Sequence, residues 1–233
     1  MMRRIPQELA RAIDLTEVRK DLTYRDVERS CFEARNYGIA SVVVPSALVR
    51  RAATCLSDSD VAVMCYVGYP FGTQAPGVKA REAHVALEQG AREIELVPHH
   101  GAIRAGRWSD VERELEAVRG AVKAATLGVV VEAAYLSDEQ LSRFASVAAD
   151  VGCVRIANTA GFRVVSTRPD SQVAATEGTV ARLAHAGRGR ILPKAVGGIY
   201  TRGDAARLIG AGAARVGVDA VPGLLRRWAE EKG

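Results

Sequence analysis

The chain has 233 residues, of which 48% are hydrophobic and 25% charged, with a formal net charge of +5. That apolar share can offset the ordering entropy of a core, which excludes a disordered chain. No run reaches the roughly 18 apolar residues of a membrane span, so no membrane partner is expected. The start, Met1-Met2-Arg3-Arg4-Ile5, lacks the apolar stretch of a secretion signal, and a cytoplasmic protein is expected. Basic residues are mixed with acids, as in Arg25-Asp26-Val27-Glu28-Arg29, rather than gathered with aromatics into a stripe, so no nucleic-acid partner is expected.

Short β-branched runs alternate with amphipathic stretches along the whole chain. Strands are predicted at 13–16, 40–44, 61–67, 93–97, 129–133, 154–158, 191–195 and 215–218. Helices are predicted between and after them at 24–37, 46–56, 78–88, 108–125, 138–151, 179–185, 205–209 and 223–230. Ser137-Asp138-Glu139-Gln140 reads as a helix start, and Gly38, Gly90 and Gly152 fall at helix ends. Such strand-plus-helix units predict an α/β chain folded as one (β/α)8 TIM barrel over 1–233. An open doubly wound sheet is disfavoured, because Asp14-Leu15-Thr16-Glu17 stands where its Gly-rich first turn belongs. The site is then expected at the C-terminal rim of the strands. Cys31, Cys55, Cys65 and Cys153 show no metal-ligand spacing and are expected to be buried thiols.

Parallel barrels are filled by Val, Ile and Leu, so charged residues within strands carry the information. Asp14, Glu95, Glu132, Arg155 and Lys194 fall inside predicted strands. Buried charges must pair, neutralise or line a solvated pocket, and such a group is expected at a reaction centre. His99, after the fourth strand, is a candidate proton shuttle at the rim.

The sequence resembles the deoxyribose-phosphate aldolases along nearly its whole length. The motifs that carry the likeness are Ile13-Asp14-Leu15-Thr16, Gly68-Tyr69-Pro70-Phe71-Gly72, Val78-Lys79-Ala80-Arg81-Glu82-Ala83 and Glu93-Ile94-Glu95-Leu96-Val97. They continue with Val129-Val130-Val131-Glu132, Thr159-Ala160-Gly161-Phe162 and Lys194-Ala195-Val196-Gly197-Gly198-Ile199. The resemblance implies a barrel that breaks or forms a carbon–carbon bond beside a carbonyl through a lysine Schiff base, with no metal or cofactor. It also implies a small-molecule carbonyl substrate, and a homodimer is a form open to such barrels.

The departures from the family pattern are as informative. The family's Schiff-base lysine falls on Ala157, whose methyl group cannot condense with a carbonyl. Its second lysine is kept as Lys194. The acid–base aspartates fall on Asp14 and on the longer Glu95, and the family's inward lysine in the strand before Glu132 falls on Gly128. Arg155 stands where the family has an aromatic, and is expected to restore positive charge beside Glu132 and Glu95, unless it runs out through the barrel floor. Asn158 lies in the same segment. At the phosphate site Gly197 and Gly198 are kept, but the second phosphate-gripping run reads Gly217-Val218-Asp219-Ala220. A carboxylate at Asp219 repels a phosphate, unless it merely caps the last helix. The loop 163–176 is longer than its family counterpart.

These features predict an aldolase-like lyase or synthase centred on Lys194, Asp14 and Glu95, with Glu132, Arg155, Asn158, Gly197, Gly198, Asp219 and His99 around the substrate. A substrate without phosphate, in a specialised pathway, is expected. Lys194 is either a new Schiff-base residue or a protonated stabiliser of an enolate. A non-catalytic binding barrel is the alternative, as is a cyclase, isomerase or dehydratase that reuses the same groups.

Overall fold

A computed structural model describes residues 5–123, 125–161 and 174–231. After a short helix, α1 (Gln7–Ala10), strands and helices alternate: β1 (Ile13–Thr16), α2 (Tyr24–Tyr37), β2 (Ser41–Val44), α3 (Val49–Cys55), β3 (Ala62–Val67), α4 (Pro76–Glu88) and β4 (Glu93–Leu96). They continue as α5 (His100–Arg104), α6 (Trp108–Val122), β5 (Thr126–Val130), α7 (Asp138–Asp150), β6 (Arg155–Ala157), α8 (Glu177–Gly187), β7 (Leu192–Val196), α9 (Arg202–Gly210), β8 (Arg215–Asp219) and α10 (Leu224–Glu230). The strands pair in parallel in sequence order, and β8 closes on β1 with Asp14 opposite Gly217. The predicted (β/α)8 barrel is the fold.

Local chemistry explains where the helices begin. Thr23 with Asp26, Ser137 with Gln140 and Thr201 with Asp204 form reciprocal capping boxes at the starts of α2, α7 and α9, satisfying backbone N–H groups that the helix leaves free. Helix α2 ends at Gly38, whose φ of 62° suits glycine.

Alternation along each strand then divides the core in two. Outward residues such as Ile13, Leu15, Cys65, Ile94, Leu127, Val129 and Ile156 pack under the helices in the larger apolar cluster. Inward residues Val43, Met64, Tyr66, Val97, Val130, Ala157 and Val196 form a second cluster within the barrel, together with Ala160 just past β6. Cys31, Cys65 and Cys153 are buried free thiols as expected, whereas Cys55 is only half-buried. Burial pushes the Cys65 thiol above its ordinary range, so it stays protonated and packs as a small apolar group.

One strand departs from the prediction. The apolar run 129–133 led to a strand there, but β5 lies three residues earlier, at Thr126–Val130. Its inward Gly128 would be an unremarkable loop residue by propensity, yet pairs in register with Glu95 and Arg155. Glu132 is therefore not inside a strand. It adopts φ 45°, ψ 59° at the head of the one-turn helix Ala133–Tyr135.

Candidate active site

Lys194 occupies the middle of β7, in register with Ala157 of β6 and Arg215 of β8. Its ammonium lies 3.0 Å from Asp14 Oδ2 and 2.5 Å from Glu95 Oε2, and all three side chains are buried at 0–1% exposure. The predicted centre thus comes together, and it is closed by charge pairing. Met64 Sδ lies 3.7 Å from the amine, and the Tyr66 ring centroid 5.7 Å away. That ring stacks on Tyr69 at 5.1 Å.

The two carboxylates differ in what remains free. Asp14 Oδ1 accepts the Ser41 hydroxyl at 2.6 Å and Arg215 Nε at 3.0 Å, with Arg215 Nη2 also bound. Burial pushes its acidity the other way, but Lys194, Arg215 and Ser41 outweigh it and hold the carboxyl at about 2. Asp14 is saturated. Glu95 spends Oε2 on Lys194, while Oε1 has no hydrogen bond among the described residues. A side chain at Gly128 would crowd that free oxygen, since a Cβ there would sit 3.3 Å from Oε1. The longer acid at 95 therefore uses the room that glycine leaves.

Arg155 does not serve Glu132 or Glu95, as the sequence led one to expect. It binds Glu93, two residues before Glu95 on the same face of β4, with the arginine side chain 10% and Glu93 14% exposed. Neither does it run freely into solvent. Arg215 Nη2 also approaches Glu93, at 3.7 Å. The result is an alternating chain, Glu95–Lys194–Asp14–Arg215–Glu93–Arg155, running from the barrel centre toward the N-terminal ends of the strands with equal numbers of cations and acids. Arg215 and Glu93 were missed from sequence. Each sits at an alternate, inward position of a strand that was predicted, and that spacing was the available signal.

The other expected site residues are distributed around the rim. Glu132 accepts the Thr159 hydroxyl at 2.8 Å and the Ala160 N–H at 2.7 Å, while burial raises its pKa against those bonds. Asn158 clasps the Val196 backbone through both ends of its amide, at 3.1 and 2.7 Å, and so ties β6 to β7. Gly197 and Gly198 follow β7 with φ of 88° and 73°. Asp219 ends β8, exposed, and does not cap α10, whose first turn follows Gly223. His99 is exposed, with its backbone N–H bound to Glu114, and no hydrogen bond or ion pair among the described residues joins it to the lysine centre. The longer loop predicted at 163–176 falls mostly outside the described residues. No cluster of metal-ligating side chains occurs among the described residues, and no described helix is long and apolar enough to cross a membrane.

Fold and centre together define a parallel (β/α)8 barrel with a buried lysine on β7 held by acids from β1 and β4. Comparison with known proteins sharpens that class. The chain is 36% identical over 193 residues to the deoxyribose-phosphate aldolase of Deinococcus radiodurans, covering 83% of this chain and 84% of that one. It is 37% identical over 156 residues to that of Methanothermobacter thermautotrophicus, covering 67% and 69%. The tetrameric deoxyribose phosphate aldolase of Aeropyrum pernix superposes with a TM-score of 0.82 at 29% identity, over 94% of this chain and 91% of the other. No family model matches the sequence. The chain belongs to the deoxyribose-phosphate aldolase family, and with it to the aldolase-like lyases.

Proposed function

We propose that the protein cleaves or forms a carbon–carbon bond next to a carbonyl by enolate chemistry, without a Schiff base, on a β-hydroxy carbonyl substrate that carries no phosphate. The observation that carries this reading is the bracketing of Lys194 between Asp14 and Glu95 in a fully buried setting. An amine ion-paired on two sides has no lone pair free to attack a carbonyl. Position 157, where the resemblance puts the covalent lysine, offers only a methyl group packed among Val43, Val97, Val130 and Val196.

In this reading each group has one task. Glu95 Oε1 takes the proton of the substrate's β-hydroxyl, and the pair of the breaking carbon–carbon bond becomes the enolate double bond. The negative charge that collects on the carbonyl oxygen is met by the Lys194 ammonium in a dry, apolar chamber, where such stabilisation is strong. The proton on Glu95 then returns to the enolate carbon. Asp14, held ionised, pairs with Lys194 and keeps it aimed. Asp219, two residues past Gly217 on the strand next to that of Gly197 and Gly198, supports an unphosphorylated substrate, because a carboxylate at that rim opposes a phosphate. Assembly as a homodimer and a cytoplasmic location are part of the same proposal.

The test is solvent-deuterium exchange of the α-protons of propanal, a simple carbonyl probe, together with borohydride reduction of the mixture. Exchange that vanishes in Lys194→Met, with no reduced adduct on the wild-type chain, is expected. A trapped adduct at Lys194 would instead assign the Schiff-base route, and no exchange at all would remove the enzymatic reading.

A further inference from the structure

Tyr66 projects from the inward face of β3 into the barrel, where its ring joins the cluster containing Ala157, Val97, Val130 and Val196. It is 2% exposed, and its hydroxyl makes no hydrogen bond among the described residues. A buried phenol normally finds a partner, since leaving one unpaired is costly. Two further inward oxygens, Glu95 Oε1 and Thr16 Oγ1 at the end of β1, are unpaired in the same way. Tyr66 and Glu95 are register partners on β3 and β4, and the Lys194 amine lies 5.7 Å from the Tyr66 ring centroid, so unsatisfied inward oxygens close to the lysine are open to a polar guest.

We propose that Tyr66 is a catalytic residue whose hydroxyl donates a hydrogen bond to the substrate's carbonyl oxygen, sharing with Lys194 the charge that develops there. The inference rests on the enolate reading above and deepens it. The phenol keeps its proton throughout: burial first, and then the nearby Glu95 and Asp14 carboxylates, push its ionisation well above the ordinary range. It is thus a donor and not a base. Its stack on Tyr69 fixes the ring, so the donor is aimed before substrate arrives.

The variant Tyr66→Phe keeps the ring and removes only the hydroxyl. In the propanal exchange assay its kcat is expected to fall about 100- to 1,000-fold with KM little changed, which is the order of effect for losing one oxyanion donor. Its thermal midpoint is expected to stay near that of the wild type. Exchange at the wild-type rate in Tyr66→Phe, while Lys194→Met is inactive, would overturn the role of Tyr66 alone. A lowered midpoint with unchanged exchange would make the hydroxyl structural. Absence of exchange in the wild type would overturn both proposals together.

Discussion

Arg155 and Arg215 both carry guanidinium groups into the lower half of the barrel, and their partners decide what each does. Arg215 binds Asp14 and so reaches the lysine centre through one carboxylate. Arg155 binds Glu93, which keeps a second cation, Arg215, only 3.7 Å away. Removing Arg155 therefore does not strand its acid completely. Arg155→Met is expected to lower unfolding free energy by about 1–3 kcal/mol, below the full cost of breaking a buried pair, and to leave propanal exchange within about twofold. Denaturant unfolding and the exchange assay check the two halves separately. A large loss of exchange in a stable Arg155→Met would show that the charge chain reaches the reaction centre. Alternation in the strand made the inward direction of Arg155 readable from sequence, but its partner was not. Which acid an inward cation meets depends on strand register, and β5 was placed three residues late.

The helices show the same division between what is local and what is not. Capping residues and apolar spacing made most of them readable, because those signals act within one turn. Helix α5, five residues long, left no periodic trace, and the apolar run through Val131 drew β5 past its true end. The layer outside the barrel also holds a pin that propensity does not report. Lys79 of α4 is wholly buried, where its ammonium binds Glu114 of α6 and the carbonyls of Gly72 and Val97 at 2.6 and 3.1 Å. Lys79→Met is expected to cost about 3–5 kcal/mol by leaving Glu114 charged and buried, and Lys79→Met with Glu114→Gln should recover part of it in chemical denaturation. Next to this pin, His100 opens α5 with both ring nitrogens sealed from solvent and unpaired among the described residues. Burial, then the charges of Lys79 and His99, lowers its pKa from 6.5 to about 4. The unfolded chain then binds the extra proton first, so its contribution to stability is complete above pH 6.5 and drains away as pH falls toward 4. His100→Leu is expected to flatten the melting temperature across that window, and an unchanged slope would remove His100 as its source.

At the scale of the whole molecule, the barrel places its charge chain toward one end and its glycine rim at the other. Val196 and Gly217 are register partners, so Gly198 and Asp219 emerge two residues further on from neighbouring strands. The positive φ values of Gly197 and Gly198 leave a backbone turn of the kind that offers N–H groups to an anion. On the proposed reading, Asp219 works against that offer. Two unit charges about 4 Å apart repel by about 1 kcal/mol in water and more where solvent is excluded. The exposed position of Asp219 favours the lower figure. Inorganic phosphate is accordingly expected to stabilise the wild type weakly, and Asp219→Ser to bind it about three- to tenfold more tightly. A thermal-shift titration measures both, since a ligand that binds only the folded chain raises its midpoint with concentration. Superimposable titrations would mean that Asp219 does not face the glycine turn, and the phosphate-free substrate would lose its physical support.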